Sequence, residues 1–578
     1  MAVLSNSEKE PEYKVHVHVA SKGLASLAFA QQVFSDLYAD APRSFWLDSS
    51  NYDASSPVQQ ATSRFSLMGD NSGPLSACVE YCVLENLLRV YEADGETVLY
   101  RDTDILTHLR TQMATFQAHK VEFHGYDDDA AEATADVKLP FAFRGGFVGY
   151  FGYEVLGSGL EKHQQPQDPS AAAIADALTK RLENGEHVPD ASFLFADRTL
   201  VFDHLDGNVY SVSVSKSDAV GEIAASQWHA LVAKRIRELA VYFVSHTPNS
   251  ASAITSITTS ASSSVVFHPS RSRAQYVRDI HEIQRLIRDG ETYEVCLTNQ
   301  LEASYALNDP LGFYKVLRAR NPAPYAGFYM SNPSGHFANS QSQVPPSTEQ
   351  ARGMTETYAI CCSSPERFLR VGSDGWMESK PIKGTRRRGA TASEDADIAM
   401  ELAQCAKDRA ENMMIADLVR NDFGIVAQIG SVHVPKLMAV ETYATVHQLV
   451  TTVRGQRRVD ADVVDVLKAT FPGGSMTGAP KKRTMQIIRQ LEQGPRGVYS
   501  GALGFLSLDG SCDLNIIIRT AVVTKKRVTL GAGGAVIALS DTDDEYEEML
   551  LKTRALVQAI GIFATGKDDG TGAKVEPW

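Results

Sequence analysis

Three consecutive stretches near the C-terminal end decide the fold class: "VYSGALGFLSL" (498–508), "CDLNIIIRTAVVT" (512–524) and "RVTLGAGG" (527–534). Each is rich in aliphatic, β-branched or aromatic residues and is bounded by residues that favour turns, which is typical of β-strands. Strands that follow one another without an intervening helix usually pair antiparallel. We therefore predict an α+β fold with layered, antiparallel-rich β-sheets and helices packed outside them.

Helical patterns surround these strands. Apolar residues recur at a spacing of three or four, and a Gly follows several of the segments. In the C-terminal half, the predicted helices are 273–290, 406–424, 463–471 and 480–494. The N-terminal half mixes short β-type runs, such as 14–20, with helical stretches, such as 24–39.

The composition is typical of a soluble globular protein, with 43% hydrophobic and 22% charged residues among 578. The net charge of -14 argues against nucleic acid or an anionic membrane as the main partner. No stretch approaches the roughly 20 apolar residues that span a bilayer, and the N-terminus has no targeting pattern. Seven cysteines, without CxxC or Cys/His metal spacing, predict a reduced, cytoplasmic protein.

A Ser/Thr-rich run at 246–266 is the clearest boundary in the chain. It predicts a linker or loop between an N-terminal region, 1–245, and a C-terminal region, 267–565, with a polar tail at 566–578. Two further polar segments, which we expect to be surface excursions, are 124–136 and 331–357.

Two pairs of carboxylates are spaced for one helical face each. Asp408 and Glu411 lie three residues apart, as do Glu545 and Glu548. If the two faces met, they would form an oxygen-rich site that suits Mg²⁺. Two solvated acidic helix faces would give the same pattern.

The basic run "SKPIKGTRRRG" (379–389) opposes the overall charge of the chain. It has too little periodicity for an ordinary helix or strand face. Three arginines near Lys383 are expected to lower the pKa of its amine, because like charges disfavour the protonated form. Such a lysine can be a nucleophile, although a solvated basic loop explains the same residues.

Four other features each have a functional and a structural interpretation. The segment "FPGGSMTGAPKKRT" (471–484) is either an anion-binding turn before a helix or a capped junction. The segment "GAGGAV" (531–536) is a tight turn, with or without a ligand facing its amides. Arg519, in an apolar strand, either binds a ligand carboxylate or pairs with a buried acid, and His447 is an acid/base group or a core residue.

In their order along the chain, these motifs resemble one family, the chorismate-utilising enzymes. The motifs that carry the resemblance are "GETYEVCLTNQ" (290–300), "NPAPYAGFY" (321–329), "SSPERFL" (363–369), "PIKGTRRRG" (381–389), "DRAENMMIADLVRND" (408–422), "GSMTGAPKKR" (474–483), "GVYSGALGF" (497–505), "IIIRTAVV" (516–523) and "DEYEEMLLKTRAL" (544–556). The likeness covers 273–562 and implies the large chorismate-binding fold. It is thinner in the N-terminal half, at 44–50, 63–70 and 144–154.

Lys383 distinguishes between members of that family. The anthranilate synthases carry Ala in this Pro-Ile-Ala-Gly-Thr position, whereas Lys marks the aminodeoxychorismate synthases. The resemblance therefore implies a transferase that converts chorismate and ammonia to 4-amino-4-deoxychorismate, for p-aminobenzoate and folate, through a covalent adduct on Lys383. The alternatives are an anthranilate synthase component I and, less in keeping with the intact motifs, a non-catalytic tryptophan-binding partner.

The resemblance also implies roles for residues at matching positions. Glu366 and His447 join Lys383 as catalytic groups, with Glu366 as the general acid. The implied Mg²⁺ ligands are Glu411 and Glu548, with Asp408 and Glu545. The implied contacts to the substrate carboxylates are Ser475, Tyr499, Arg519, Gly533, Gly534 and Lys552. One departure is Ala535, where the family usually has a third glycine.

Two partners besides chorismate follow from the resemblance. Ammonia would come from a glutamine amidotransferase, either a separate subunit or a fused domain, because no cysteine here lies in the Gly-rich elbow of such an enzyme. Tryptophan is a possible effector, with Leu47, Ser49 and Ser50 as the matching positions.

Overall fold

The structure is a computed structural model of the chain. It describes residues 12–101, 103–116, 119–124, 139–156, 169–184, 187–245, 264–333, 357–443, 446–568 and 571–576. The predicted linker therefore lies outside the described residues up to 263, as do most of the two predicted surface excursions. No helix within the described ranges is long and apolar enough to cross a membrane.

The described residues form twelve α-helices. Their bounds are Leu27–Leu37, Pro57–Thr62, Ile105–Thr115, Pro169–Glu183, Ala219–Ser245, Arg273–Arg288, Pro310–Arg320, Ala392–Gln404, Ala406–Val426, Val463–Thr470, Lys481–Glu492 and Thr542–Thr565. Short 3₁₀ turns occur at Tyr153–Val155 and Gly474–Met476. The four helices predicted in the C-terminal half are all present. That at Ala406–Val426 runs two residues beyond Gly424, the predicted terminator.

Local chemistry fixes the ends of the helix that carries the second carboxylate pair. Asp541 caps its N-terminus by accepting hydrogen bonds from two backbone N–H groups of the first turn. Gly566 ends it with φ +68, a left-handed conformation that glycine adopts without a steric penalty.

The described part of the chain contains 26 strands. They are β1 Tyr13–Ser21, β2 Arg43–Asp48, β3 Phe65–Asp70, β4 Ala77–Cys82, β5 Leu87–Glu92, β6 Thr97–Arg101, β7 His119–His124, β8 Gly146–Phe151, β9 Ala191–Ala196, β10 Arg198–Asp203, β11 Asn208–Lys216, β12 Val265–Pro269, β13 Glu294–Ala303, β14 Tyr325–Ser331, β15 Tyr358–Ser364, β16 Arg367–Val371, β17 Trp376–Ser379, β18 Ile382–Arg387, β19 His433–Thr442, β20 Val446–Gln456, β21 Gly478–Ala479, β22 Ala502–Ser507, β23 Cys512–Ile516, β24 Thr520–Thr524, β25 Val528–Val536 and β26 Ala573–Val575.

Two large sheets contain all of these strands. The first, with 14 strands, runs β26-β12-β13-β25-β24-β15-β14-β2-β3-β10-β11-β1-β7, and β21 pairs with β13. The second, with 12 strands, runs β18-β20-β17-β16-β23-β22-β8-β9-β4-β5-β6, and β19 pairs with β20. Nearly all neighbours are antiparallel, so the predicted fold class is confirmed.

Both halves of the chain contribute to both sheets. In the first sheet β14 pairs with β2, and in the second β22 pairs with β8. The predicted boundary at 246–266 thus does not divide the chain into two separate sheets. The predicted polar tail contains β26, which pairs in parallel with β12.

Two hydrophobic cores hold the layers together. One lies between the sheets and contains residues of both, such as Val17 of β1 and Leu514 of β23. The other joins the first sheet to the helices outside it, through residues such as Phe34, Ile280 and Phe563. The layers follow from the predicted pattern, in which each helix has one apolar face to bury.

Three local predictions were wrong. The stretch 512–524 is two strands, since β23 belongs to the second sheet and β24 to the first, and the chain crosses between sheets at 517–519. The segment 531–536 is the end of strand β25 rather than a tight turn. The basic run forms an edge strand, β18, with a bulge between Ile382 and Thr385.

Candidate active site

Lys383 lies on β18, at the edge of the second sheet, and its side chain points towards the first sheet. Its Nζ lies 2.9 Å from Oε1 of Glu294, the first residue of β13, and 3.9 Å from Oε2 of Glu411. The side chain of Lys383 is only 11% exposed, and Glu294 is fully buried. The site therefore joins an edge strand, a strand of the other sheet and the helix Ala406–Val426.

The expectation that arginines lower the pKa of Lys383 was wrong in direction. Burial does lower the pKa of this amine, but Glu294 and Glu411 outweigh it, so the pKa lies above the ordinary value. The three arginines do not offset these carboxylates, because their guanidinium groups pair with other acidic residues. Lys383 is a protonated ammonium held by carboxylates.

The three arginines instead contact acidic residues of two consecutive helices, Ala392–Gln404 and Ala406–Val426. Arg386 lies 2.9 Å from Glu401 and 2.9 Å from Asp408. Arg387 lies 2.6 Å from Glu394. Arg388 makes a bidentate pair with Asp395, at 2.7 Å for both bonds.

Glu366 has the properties of a general acid. It lies in the short connection between β15 and β16 and is buried. Burial raises the pKa of Glu366 to about 7, although Ser475 donates a hydrogen bond to it and the charges of Lys383 and Lys552 oppose the rise. The backbone N–H of Ile382, beside Lys383, also donates to it. A carboxyl group of this pKa is partly protonated at neutral pH and can give up that proton.

The two predicted carboxylate pairs do lie on helices, and one member of each pair, Glu411 and Glu545, lies beside the same lysine. Nζ of Lys407 lies 3.0 Å from Glu545 and 4.0 Å from Glu411. Nζ of Lys552 lies 2.8 Å from Glu548. Asp408 differs, because its carboxylate faces Arg386 and packs against Gly384.

The carboxylates around Glu411 offer the oxygen ligands that a divalent cation takes, although no three of them lie within 4.8 Å of one another in the described part of the chain. Burial raises the pKa of Glu411 to about 7, with the negative charges of Glu294 and Glu545 contributing to the rise. Among the residues that the structure describes, Oε2 of Glu294 is buried without a hydrogen-bond partner. Glu411 and Glu545 are buried and share Lys407, whereas the side chain of Glu548 is 47% exposed. Carboxylate oxygens are the ligands that Mg²⁺ prefers. Residues Glu411, Glu545 and Glu548 would hold such an ion, and Glu294 lies beside them.

The glycines of β25 face this charged cluster. A Cβ on Gly534 would lie 3.0 Å from the Glu545 carboxylate and 3.7 Å from Nζ of Lys552. The Gly533 carbonyl accepts a hydrogen bond of 2.8 Å from Lys552. Gly534 therefore leaves room for a ligand beside the cluster, whereas a Cβ on Gly533 would clash with the Leu297 carbonyl of β13.

Arg519 lies at the crossing between the sheets rather than within a strand. It has φ +52, an uncommon conformation for a residue with a side chain. Burial lowers the pKa of its guanidinium, while Tyr499 and Glu548 lie close enough to raise it. The crossing thus directs a cation towards the same cluster, and the strained backbone is of the kind that occurs at functional sites.

The structure brings Ser475 to the site but gives a different role to Lys481, in the helix that follows. Ser475, in the 3₁₀ turn Gly474–Met476, contacts Glu366. Lys481 is used internally, with Nζ 2.6 Å from Asp422 and 2.8 Å from the Thr470 carbonyl, so it does not point at a ligand.

His447 is buried on β20, and protein groups occupy both of its ring nitrogens. Nε2 lies 2.9 Å from Asp395, and Nδ1 lies 2.9 Å from Thr442. These contacts join His447 to the exposed basic run rather than to Lys383. Its catalytic role stays a prediction.

The predicted effector positions border a cavity of about 170 Å³ between the sheets. Leu47 and Ser49 line it, together with Phe141, Tyr325 and Phe505. Ser50 turns away, and its Oγ hydrogen-bonds to the backbone of Ala323.

Sequence reasoning missed Glu294 and Lys407. Glu294 lies in the quoted motif "GETYEVCLTNQ", and a carboxylate in an otherwise apolar strand is the signal that would have identified it. Lys407 lies one helical turn before Glu411, and that i, i+4 spacing is the signal that would have placed it beside the predicted cluster.

Comparison with known proteins gives the site a context. Residues 82–558 match the model of a family described as chorismate binding enzyme. An aminodeoxychorismate synthase of Streptomyces pristinaespiralis is 42% identical over 550 residues, which are 95% of this chain and 65% of that protein. A chloroplastic aminodeoxychorismate synthase of Arabidopsis thaliana is 36% identical over 562 residues, 96% of this chain and 54% of that protein.

Among solved structures, anthranilate synthase component I from Streptococcus pneumoniae TIGR4 has a similar fold. The TM-score is 0.58 at 27% sequence identity, and the likeness covers 85% of this chain and 91% of that chain. The chain spans between about half and two thirds of the length of the two aminodeoxychorismate synthases that it resembles.

Proposed function

The chain belongs to the family of chorismate binding enzymes, and we propose that it is the synthase part of an aminodeoxychorismate synthase. It converts chorismate and ammonia to 4-amino-4-deoxychorismate, which supplies p-aminobenzoate and folate. The observation that carries the proposal is Lys383, buried among carboxylates where the anthranilate synthases have alanine.

Lys383 is the proposed nucleophile. Its amine attacks the ring of chorismate, the ring double bond shifts, and the allylic hydroxyl leaves. Ammonia then attacks the carbon that lost the hydroxyl, the double bond shifts back, and the lysine amine is expelled. A covalent nucleophile divides one difficult substitution into two easier steps.

In the first step one carboxyl group donates a proton and another accepts one. Glu366, with its pKa raised to about 7 by burial, protonates the departing hydroxyl so that it leaves as water. Glu294, 2.9 Å from Nζ, accepts the proton that Lys383 must lose before its amine can attack. The raised pKa of Lys383 makes such an acceptor necessary, because an ammonium group is not a nucleophile.

We include Mg²⁺ in the proposal, held by Glu411, Glu545 and Glu548. When bound, the ion screens the ring carboxylate of the substrate and withdraws electron density as the hydroxyl departs. The ammonium group of Lys407 lies beside both Glu411 and Glu545 and offsets part of their negative charge. Asp408, which pairs with Arg386, stays a predicted ligand at the edge of this group.

We assign binding of the substrate carboxylates to two cationic side chains and to neutral residues beside Glu411, Glu545 and Glu548. Arg519 and Lys552 supply the charge, and bidentate contact suits the guanidinium. The neutral groups at this site are Ser475, Tyr499, Gly533 and Gly534. His447 remains a proposed contributor through Asp395.

The ammonia supply and the location are also part of the proposal. A glutamine amidotransferase, separate or fused, supplies ammonia, and the greater length of the relatives supports a fused domain. We expect the enzyme to work in the cytoplasm. Tryptophan is the proposed occupant of the cavity beside Leu47 and Ser49, supported by its apolar and hydroxyl lining, and equilibrium dialysis with tryptophan tests it.

Product identification tests the proposed function. The chain is incubated with chorismate, Mg²⁺ and an ammonium salt, with and without a lyase that releases p-aminobenzoate. We expect p-aminobenzoate only when the lyase is present, and loss of turnover with a chelator. Anthranilate as the main product would overturn the assignment. The matched variant Glu548→Gln should require a higher Mg²⁺ concentration for half-maximal rate, whereas the exposed variant Glu547→Gln should not.

A further inference from the structure

A second group of possible metal ligands lies far from Lys383 in the fold, where strands β4 and β9 meet. Cys82 is the last residue of β4, and Asp190 immediately precedes β9. The two strands pair antiparallel, with Tyr81 opposite Ala191, so the pairing brings Cys82 and Asp190 together. His187 precedes Asp190 by three residues and reaches the same point.

The three side chains are close enough to share one ion. A sulfur, an imidazole nitrogen and a carboxylate oxygen of this trio all lie within 4.8 Å of one another, and all three residues are buried. Nε2 of His187 is 3.6 Å from Oδ2 of Asp190. That distance is too long for a hydrogen bond, but two ligands about 2 Å from a tetrahedral ion lie about 3.3 Å apart.

The imidazole of His187 makes the strongest case for a ligand. Nε2 is buried without a hydrogen-bond partner in the described part of the chain, and the residue is only 9% exposed. A neutral imidazole offers one unprotonated ring nitrogen, which can bind a metal. A buried polar atom without a partner is costly, and coordination would satisfy it.

We propose that Cys82, His187 and Asp190 bind one zinc-type divalent ion. Zn²⁺ takes thiolate, imidazole and carboxylate ligands, whereas Mg²⁺ prefers oxygen alone. The thiol of Cys82 loses its proton on binding, and the thiolate and Asp190 then balance the two positive charges of the ion. A neutral complex suits a buried site, because an unbalanced charge there would be strongly penalised.

The ion would cross-link the end of β4 to the residues that immediately precede β9. The sulfur of Cys82 already accepts the backbone N–H of Glu85, which fixes its orientation in the hairpin that leads to β5. Oδ2 of Asp190 accepts the backbone N–H of Val83 in the same hairpin. Because these ligands assemble only in the folded chain, binding would stabilise the native state.

Cobalt spectroscopy tests the proposal independently of catalysis. The chelator-treated chain is titrated with Co²⁺ and then with Zn²⁺, in excess Mg²⁺ so that the carboxylate cluster near Lys383 is occupied. We expect one equivalent of Co²⁺ to give a sulfur-to-metal charge-transfer band and tetrahedral d–d bands, which Zn²⁺ abolishes. Zn²⁺ should also raise the unfolding midpoint.

Matched variants identify the ligands. Cys82→Ser should lose the charge-transfer band, and His187→Gln should weaken Zn²⁺ binding by at least about tenfold. Cys78→Ser, on the same strand, and Cys296→Ser, near Lys383, should keep the band. Circular dichroism establishes that each variant folds. No cobalt–thiolate band in the native chain, or a band that persists in folded Cys82→Ser, would overturn the proposal.

Discussion

Lys383 and Arg387 lie on one edge strand, four residues apart, in opposite surroundings. The side chain of Lys383 is 11% exposed and faces the buried Glu294 and Glu411. That of Arg387 is 69% exposed and forms a surface pair with Glu394. Both cations have carboxylate partners, so a partner alone does not distinguish them.

Burial and the surplus of carboxylates make the difference. Around Lys383 the buried carboxylates outnumber the cations. A change in the charge of one group therefore shifts the protonation of its neighbours. Around Arg387 water screens the pair, and its contribution is small. The comparison teaches that the reactive residue of a basic run is the one with the buried partners rather than the one with the most basic neighbours.

The largest expected effect is that of Lys383→Ala. Removal of the nucleophile should lower kcat for 4-amino-4-deoxychorismate by about a thousandfold or more, since nothing else supplies the covalent step. Steady-state assays with ammonium salt measure this effect. Slow formation of anthranilate by the variant would agree with the account, whereas unchanged kcat would contradict it.

Glu366→Gln should lower kcat by about 10²- to 10⁴-fold, the usual contribution of a general acid. In the unsubstituted chain the protonated form of Glu366 is the active one. Because burial raises its pKa to about 7, kcat should fall as the pH rises through about 7. The residual activity of the variant should lack that alkaline limb. A limb that persists in Glu366→Gln would assign it to another group.

Glu294→Gln should have an intermediate effect of about 10- to 100-fold on kcat, because the proton acceptor at 2.9 Å is lost. It should also lower the pKa of Lys383, since Glu294 is the largest cause that raises it. Acylation of Lys383 at fixed pH, followed by mass spectrometry, should therefore be faster in the variant than in the unsubstituted chain. Equal labelling rates would show that Glu294 does not control the amine.

The smallest effect is expected for Arg387→Ala. Its pair with Glu394 lies at the surface, so kcat and the folding equilibrium should change by no more than about twofold. Activity assays and urea unfolding measure both quantities. A loss of activity comparable to that of Glu294→Gln would mean that the basic run acts on the site after all.

Much of this fold could be predicted from the sequence, because hydrophobic periodicity depends on local spacing. The helices at Arg273–Arg288 and Lys481–Glu492 and the paired strands β22 and β23 follow directly from it. The crossing of 512–524 from one sheet to the other could not be predicted in this way. The residues at 516–518 are all isoleucine and read as the continuation of one strand, and only tertiary structure determines that the strand ends at Ile516.

The site residues could also be predicted from the sequence, whereas their environment could not. The resemblance to a family pointed to Lys383 and Glu366, and both lie in one charged cluster. The direction of the pKa shift of Lys383 was mispredicted, because the deciding neighbour, Glu294, lies 89 residues away in sequence. Cys82 and His187 escaped the search for metal-ligand spacing for the same reason, since strand pairing brings them together.

Mass spectrometry of the chain in chorismate and Mg²⁺, without ammonia, tests most directly whether Lys383 is the nucleophile. We predict a covalent adduct of chorismate less one water on the peptide that contains Lys383, which disappears when ammonium salt is added. Arg387→Ala should form the adduct, and Lys383→Ala should not. An adduct on another residue, or full turnover by folded Lys383→Ala without any adduct, would contradict the account.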